Sequence, residues 1–518
     1  MAFFVLFGLA LRIFRYALRL PLVSDEAFLG INILDRSYRQ LLAPLEYIQV
    51  APLGFIWAER AIHQLLGMSE YAMRLLSTFA GVAALILFAF WVRRILSPLA
   101  ATIAVGVLAV SDLAVRLSVE LKPYGIDLFF AVALLYPATL FLLNRQNRYL
   151  VLLIALAPVA LFFSLPSVFV AAGIAATLIT VFRRRLTARQ RLLTAVLSAV
   201  ILLSFGALAW KFIGPQFAGS GPSQQICWTF PPLNPLQFAA WFLTAHSDNL
   251  FGYPLDLSSP GSGLFFLLAV IGLISLLRSS RGPIALLLLA PFLMTFAAAL
   301  LRRYPYGDSP RVAQHLVGPI CLLIGAGAAA VIQRFSISPQ AQRATALTIF
   351  ASLVLIGLIG PAMLVVSPSS ETRRDRAIRQ FVAEQLTGVD GRTTVAAMQR
   401  PDLSDALVRW YLHASPAPPI WGADIAKLPS LPRPLRVFAT PIDAIPLPAE
   451  LAAAMSAPAD QSEIMIIPHE VHFAAFYYSA ASPRRTFAAG VPATRLPAGR
   501  LPATQPDNLF SKVVDRIQ

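Results

Sequence analysis

The chain has 518 residues, of which 57% are hydrophobic and 13% are Asp, Glu, Lys or Arg, about half the charged share of a soluble domain. With a mean hydropathy of +0.68, this excludes an ordinary cytosolic enzyme, a disordered chain and a disulfide-rich secreted scaffold. The net charge of +16 would suit a nucleic-acid binder, but 26 basic and 12 acidic residues lie up to Pro368, against 16 and 14 beyond it. The excess therefore sits in the apolar part, and no nucleic-acid partner is expected.

Apolar blocks fall in chain order at about 2–21, 75–92, 95–115, 125–143, 149–163, 167–182, 192–213, 263–277, 283–301, 312–332 and 344–366. Blocks of this length predict about eleven transmembrane helices and an all-α polytopic membrane protein. The links alternate in chemistry. Arg93-Arg94, Arg145 with Arg148, Arg183 to Arg191, Arg278 with Arg281, and Arg334 with Arg343 stand in links without Asp or Glu, which places those links in the cytoplasm. The others, at about 22–74, 116–124, 164–167, 214–262 and 302–311, hold nearly all the acidic residues of this part and face outward, as does everything after 367. The first block is interrupted by Arg12, Arg15 and Arg19. Without a basic n-region or a small-residue cleavage site it reads as a retained helix. Its arginines then face a polar interior, unless translation starts further upstream.

From about Glu371 the character changes. An amphipathic helix over 373–386, strands at 394–398, 436–439 and 463–467, and helices near 404–413 and 449–455 predict a small α/β domain. Beyond Ser482 a Pro-, Ala- and Arg-rich stretch reads as loosely ordered. The expected division is a transmembrane domain over 1–368 and an extracytoplasmic accessory α/β domain over 369–518.

No Walker loop, G-x-G-x-x-G, G-x-S-x-G or H-E-x-x-H is present. His469 and His472 have the wrong spacing for a zinc protease and read as surface histidines. Cys227 and Cys321 predict neither a disulfide nor a metal site. No cofactor is called for, and only the help of a divalent cation stays open.

Ser24-Asp25-Glu26 follows the first block directly, on the outward side. A carboxylate there can take the proton of an incoming hydroxyl at neutral pH; the competing reading is a helix start, with Asp25 capping 27–34. Gln49-Val50-Ala51-Pro52-Leu53-Gly54 leads into an amphipathic stretch suited to one or two helices in the membrane interface. Arg116, Glu120, Lys122 and Tyr124 share a short outward link, and Arg302, Arg303, Tyr304, Tyr306, Asp308 and Arg311 share another. Cations on outward links run against the positive-inside rule. A bound phosphate supplies the reason, by charge-assisted hydrogen bonds, and snorkelling to lipid headgroups is the alternative. Lys122 and Arg311 are read as the anion site. The tyrosines line the same cavity or anchor in the interface. An acid pair with cations beside a lipid-accessible bundle is what a lipid-phosphate donor and a hydroxyl acceptor require: the carboxylate takes the proton and the cations steady the leaving phosphate.

On these residues the sequence resembles the GT-C membrane glycosyltransferases, in particular the bacterial branch related to protein O-mannosyltransferases and lipid A aminoarabinose transferases. The carriers are Asp25-Glu26, Gln49-Val50-Ala51-Pro52-Leu53, Gly67 to Arg74, Glu120-Leu121-Lys122-Pro123-Tyr124 and Tyr304-Pro305-Tyr306-Gly307-Asp308-Ser309-Pro310-Arg311, in that order along residues 1 to about 366. The resemblance implies a polyisoprenyl-phosphate sugar donor and inverting transfer to a hydroxyl of a lipid, glycan or protein. It also implies the extracytoplasmic face of a bacterial inner membrane, with membrane lipids as neighbours. Asp25 would be the base with Glu26 assisting, donor-phosphate contacts would fall to Lys122, Arg311, Arg116 and Arg303, and Gln49, Tyr124, Tyr304 and Tyr306 would line the cavity. Gln49 stands where relatives often carry a ring-bearing residue, and the tail is not a sugar-binding domain of the protein O-mannosyltransferase type, so the acceptor is left open.

Two other functions fit this topology. A surface-polysaccharide polymerase or ligase would carry its site in 214–262, with Trp228, Asn234, His246 and Asp248. A transporter or lipid flippase would have repeated halves and ionisable groups at mid-membrane, and no repeat is evident.

Overall fold

In the computed structural model of the protein, residues 1–47, 49–220, 230–254, 261–307, 309–386, 394–397, 403–415, 419–421, 435–439, 462–466 and 476–479 are described. The expectations attached to Cys227, Trp228, Asp308, His469, His472, the 449–455 helix and the segment beyond Ser482 lie outside those residues. The chain divides into two compact units, Met1–Gly391 with Gln399–Pro419, and Arg392–Met398 with Ile420–Gln518.

The first unit is helical. Its elements are α1 (Ala2–Ala17), α2 (Ser24–Asp35), α3 (Leu53–Leu66), α4 (Glu70–Ile95), α5 (Pro98–Val110), α6 (Asp112–Leu117), α7 (Tyr124–Asn144), α8 (Asn147–Phe163), α9 (Ser167–Thr180), α10 (Ala188–Leu208), α11 (Gly214–Ser220), α12 (Pro235–Thr244), α13 (Gly261–Leu277), α14 (Gly282–Leu300), α15 (Gln314–Phe335), α16 (Pro339–Val366), α17 (Ser370–Leu386) and α18 (Leu403–Leu412). Six of them, α4, α7, α10 with its continuation to Phe217, α14, α15 and α16, are long and apolar enough to cross a bilayer; α5, α8, α9 and the stretch Ser262–Leu277 are shorter apolar helices. This is an all-α polytopic membrane protein, as composition required.

Local sequence explains many boundaries. Ser69, Ser97, Ser111, Thr187 and Ser338 each accept a hydrogen bond from a backbone N–H of the first turn, and Pro98 and Pro339 occupy the first helical position. Cations close α4 at Arg93 and Arg94, where the helix dipole favours them. The apolar block at 95–115 is not one helix: it breaks at Ser111 into α5 and α6. That break explains Arg12. Its guanidinium is fully buried and donates to Gly8 O at 3.0 Å, Ala109 O at 3.3 Å and Leu108 O at 3.4 Å, covering carbonyls that the end of α5 leaves without an intrahelical partner. Arg19 pairs with Glu70 at 3.1 Å, and Arg15 lines a small polar cavity with Glu26, Arg74, Glu120 and Asp375. Arg12 and Arg15 thus meet polar groups inside the protein, while Arg19 makes its ion pair at the surface.

The bundle packs α15 between α5 and α13, α4 against α7, α8 against α10 and α9 against α14. Close approach of α13 and α15 depends on Gly272 and Gly327: a Cβ on Gly327 would stand 1.8 Å from Leu268 O, and one on Gly272 2.1 Å from Leu323 O. Small residues at such crossings let membrane helices pack by dispersion. Two of the basic links meet where Arg145 stacks over Phe182 at 4.6 Å and its carbonyl accepts from Gln190 at 2.9 Å.

The second unit contains a five-stranded sheet, β1 (Thr394–Ala397), β2 (Ile420–Trp421), β3 (Leu435–Ala439), β4 (Ser462–Ile466) and β5 (Phe476–Ser479), in the order β2-β1-β3-β4-β5. All neighbours are parallel except β4 and β5. Three strands coincide with the runs expected from sequence to within a residue, while the short β2 and the antiparallel β5 add its two edges.

Candidate active site

The chain leaves α1, crosses six residues and starts α2 at Ser24. Glu26 opens that helix by folding back to accept from Val23 N at 3.0 Å, so the acid of the first turn satisfies an otherwise orphaned N–H. Neighbouring helix positions diverge by about 100°, and the two adjacent acids therefore face different surroundings. Glu26 is 1% exposed, whereas the Asp25 side chain is 40% exposed.

Glu26 is held on all sides. Arg74 of α4 donates to it through Nε at 2.8 Å and again through Nη2, and Leu121 N donates at 2.6 Å. Arg74 also donates to Leu20 O at 2.6 Å and Pro21 O at 3.0 Å. This buried pair ties together the α1–α2 link, the start of α4 and the α6–α7 link.

Asp25 meets the α6–α7 link from the other side. Lys122 Nζ donates to Asp25 Oδ1 at 2.8 Å and to Gln49 Oε1 at 2.6 Å. The lysine is fixed in turn, because its own carbonyl accepts from Ser77 Oγ of α4 at 2.8 Å. Burial works to raise the Asp25 pKa, but the charge and hydrogen bond of Lys122, the charge of Arg311 and the Gln49 amide together hold it below the ordinary carboxylate value. Asp25 is thus an ionised, partly open carboxylate at neutral pH. Glu120, close by, is pushed the other way by burial and by the charge of Glu26, and Arg116 lies 3.6 Å from it.

The structure therefore gathers Asp25, Gln49 and Lys122 into direct contact, with Arg311 near enough for its charge to act on Asp25, Glu120 and Tyr124. Arg116 joins through Glu120 rather than through Asp25. Arg303 is exposed and makes no ion pair among the described residues. Tyr124 is partly exposed beside the cluster. Tyr304 turns its hydroxyl to Val312 O at 2.8 Å, and burial, with the charge of Asp127 behind it, raises its pKa well above the ordinary value. Tyr306 is 4% exposed and meets His246 Nε2 at 3.0 Å within an aromatic cluster of Trp241, Phe296 and Phe266. Of the 214–262 residues, His246 is engaged in that cluster, and Asn234 caps α12 by accepting from Leu236 N at 3.0 Å and Gln237 N at 3.2 Å.

Sequence reasoning missed three features. Arg74 stands at the start of an apolar helix, and a lone arginine there signals a buried partner only in hindsight. Asp127, one turn into α7, is 4% exposed with Oδ1 lacking a partner and lies against Ser164; nothing local distinguishes it from a solvated acid. The third is the contact of α18 with α2: the helix near 404–413 is expected from sequence, but not that its residues reach α2 from almost four hundred positions away.

Fold and cluster together describe a polytopic membrane protein with a carboxylate and cations gathered from separate links of its helical unit, resembling the GT-C membrane glycosyltransferases. Residues 50–210 match the family model described as dolichyl-phosphate-mannose-protein mannosyltransferase. That segment contains Lys122 and begins one residue after Gln49. Among solved structures the chain is similar to ArnT from Cupriavidus metallidurans. The form bound to undecaprenyl phosphate has 14% identity over 90% of this chain and 92% of that one, with a TM-score of 0.47; the apo form has 12% identity, the same coverage and a TM-score of 0.48. It is also similar to the Archaeoglobus fulgidus oligosaccharyltransferase in complex with Zn and sulfate, with 11% identity over 82% of this chain and 62% of that one and a TM-score of 0.47. No curated protein matches the sequence.

Proposed function

We propose that the protein is an inverting glycosyltransferase that moves a sugar from a polyisoprenyl-phosphate donor to a hydroxyl acceptor at the extracytoplasmic face of a bacterial inner membrane, with Asp25 as general base. The observation that carries this reading is the Lys122 ammonium bridging Asp25 and Gln49. The family match over 50–210 and the undecaprenyl phosphate bound by ArnT are in keeping with a lipid-phosphate donor.

In the resting site Lys122 neutralises Asp25. A donor phosphate arriving beside Lys122 and Arg311 competes for the ammonium and frees a carboxylate oxygen. The acceptor oxygen then attacks the anomeric carbon from the face opposite the phosphate as the bond between carbon and phosphate oxygen breaks. The electron pair leaves on the phosphate, where Lys122 and Arg311 stabilise it, and the acceptor proton passes to Asp25. Glu26 takes no proton in this scheme. Its hydrogen bonds are occupied, and it sets the turn from which Asp25 projects. Arg116 and Arg303 would lie outside direct contact with the phosphate, and Tyr124 would line the sugar side.

The test is transfer from radiolabelled polyisoprenyl-phosphate sugars in membranes, comparing wild type with Asp25→Asn at equal expression. The expected loss is about 10²- to 10⁴-fold, with donor binding retained. Undiminished transfer by Asp25→Asn would overturn the assignment and move attention to 214–262.

A further inference from the structure

Two of the three segments that carry the polar cluster touch one ten-residue helix, α18, which comes from beyond the last apolar block, and the third packs on α2 beside it. At the N-terminal end of α2, Leu22 N donates to Tyr411 Oη at 3.2 Å. Midway, Trp410 is 1% exposed and its ring lies over Gly30. A Cβ on Gly30 would stand 2.7 Å from Trp410 Cζ3 and 3.3 Å from Leu121 Cδ2, so the indole meets the base-bearing helix where it packs on the residue before Lys122. At the C-terminal end of α2, Asp35 receives Arg409 Nη2 and lies 3.0 Å from His413 Nε2. Arg409 also reaches Glu46 at 3.2 Å and the Tyr47 hydroxyl at 3.5 Å, and the Tyr47 carbonyl accepts from Gln49 Nε2 at 3.2 Å.

We propose that Arg409, Trp410 and Tyr411 are positioning residues for the transfer reaction: α18 fixes α2 at both ends and in the middle, and so sets the distances among Asp25, Lys122 and Gln49. The inference rests on Asp25 as the base. None of the three residues touches the reacting atoms. Their effect follows from geometry, because a displacement of about 1 Å in a catalytic group costs on the order of a hundredfold in rate. Gly30 has a specific reason here, since any larger residue would crowd both the indole and Leu121.

The experiment uses the full chain and compares Trp410→Leu and Trp410→Phe with wild type, measuring kcat, donor KM, folded fraction and the pH profile of kcat/KM. For Trp410→Leu, kcat per folded molecule falls about ten- to a hundredfold, donor KM stays within about twofold, and the acid limb of the profile moves up as Asp25 parts from Lys122. Trp410→Phe, which keeps a flat ring over Gly30, restores most of kcat. A purely structural role would lower the folded fraction while leaving kcat per folded molecule and the acid limb in place, and that result overturns the proposal. Should Trp410→Leu not fold, Arg409→Ala against Arg409→Lys reads the other end of the same helix by the same criteria. An inactive Asp25→Asn with unaltered α18 variants would sink only this inference, whereas an active Asp25→Asn would sink the base assignment itself.

Discussion

Asp25 and Glu26 differ by one position and in almost every physical respect. The half-open carboxylate bonded to Lys122 is held ionised, while the buried one is locked to Arg74 and two backbone N–H groups. Two predictions belong at this scale. Lys122→Met removes the main influence lowering the Asp25 pKa and leaves only Arg311 and Gln49 to oppose burial, so the acid limb of kcat/KM should move upward; a pH series on the variant checks this. Glu26→Gln strands the Arg74 charge inside the protein, and unfolding monitored in detergent should report a loss of about 3–5 kcal/mol, whereas Asp25→Asn, which removes a carboxylate partly open to water, should cost clearly less. Acid stability follows the same carboxylates. Asp25 and Asp35 both have lowered pKa values, Asp35 against the pull of burial through His413 and Arg409. Their contribution is complete above the unfolded value of about 3.9 and is lost as pH falls through the lower folded values. The unfolding midpoint should therefore hold from pH 7 to about 5 and drop below about pH 4.

At the level of elements, the structure turns sequence irregularities into contacts. Three arginines interrupt the first apolar block, and Arg12 among them covers the end of α5, where the apolar block at 95–115 breaks in two. Arg12→Met would strand the Leu108 and Ala109 carbonyls, at about 1–3 kcal/mol for each group left unsatisfied, measurable as a lowered unfolding midpoint. The crossing of α13 and α15 makes a second case. Gly327→Val would place carbon atoms on the Leu268 carbonyl, and the helices must separate; overpacking of this kind costs about 1–3 kcal/mol or more. Helix ends have local causes, because Ser-Pro pairs and arginine runs act through neighbouring hydrogen bonds and dipoles. The split at Ser111 is not legible from hydropathy, which cannot tell one long helix from two short ones.

For the whole molecule, links of like charge character meet one another: Arg145 with Phe182 and Gln190 at one end, and Asp25, Gln49 and Lys122 in another group. A membrane-impermeant thiol reagent applied to intact cells should label a cysteine placed at Ser37 and spare one placed at Gln146, in a background without Cys227 and Cys321. The reverse pattern would invert the topology and put the cluster on the cytoplasmic side.

By itself the sequence determined the class of the molecule, its apolar blocks and the alternating chemistry of its links, and it singled out Asp25, Gln49, Lys122 and Arg311 as candidates, because hydropathy, charge asymmetry and short motifs are properties of neighbouring residues. Tertiary structure alone decided what surrounds each of those residues. Which of two adjacent acids is buried depends on what stands opposite each face of α2, and that is Arg74 for one and Lys122 for the other. The placement of α18 against α2 was likewise beyond reach, since Trp410 and Gly30 are 380 positions apart and only folding brings an indole ring to the one residue small enough to receive it.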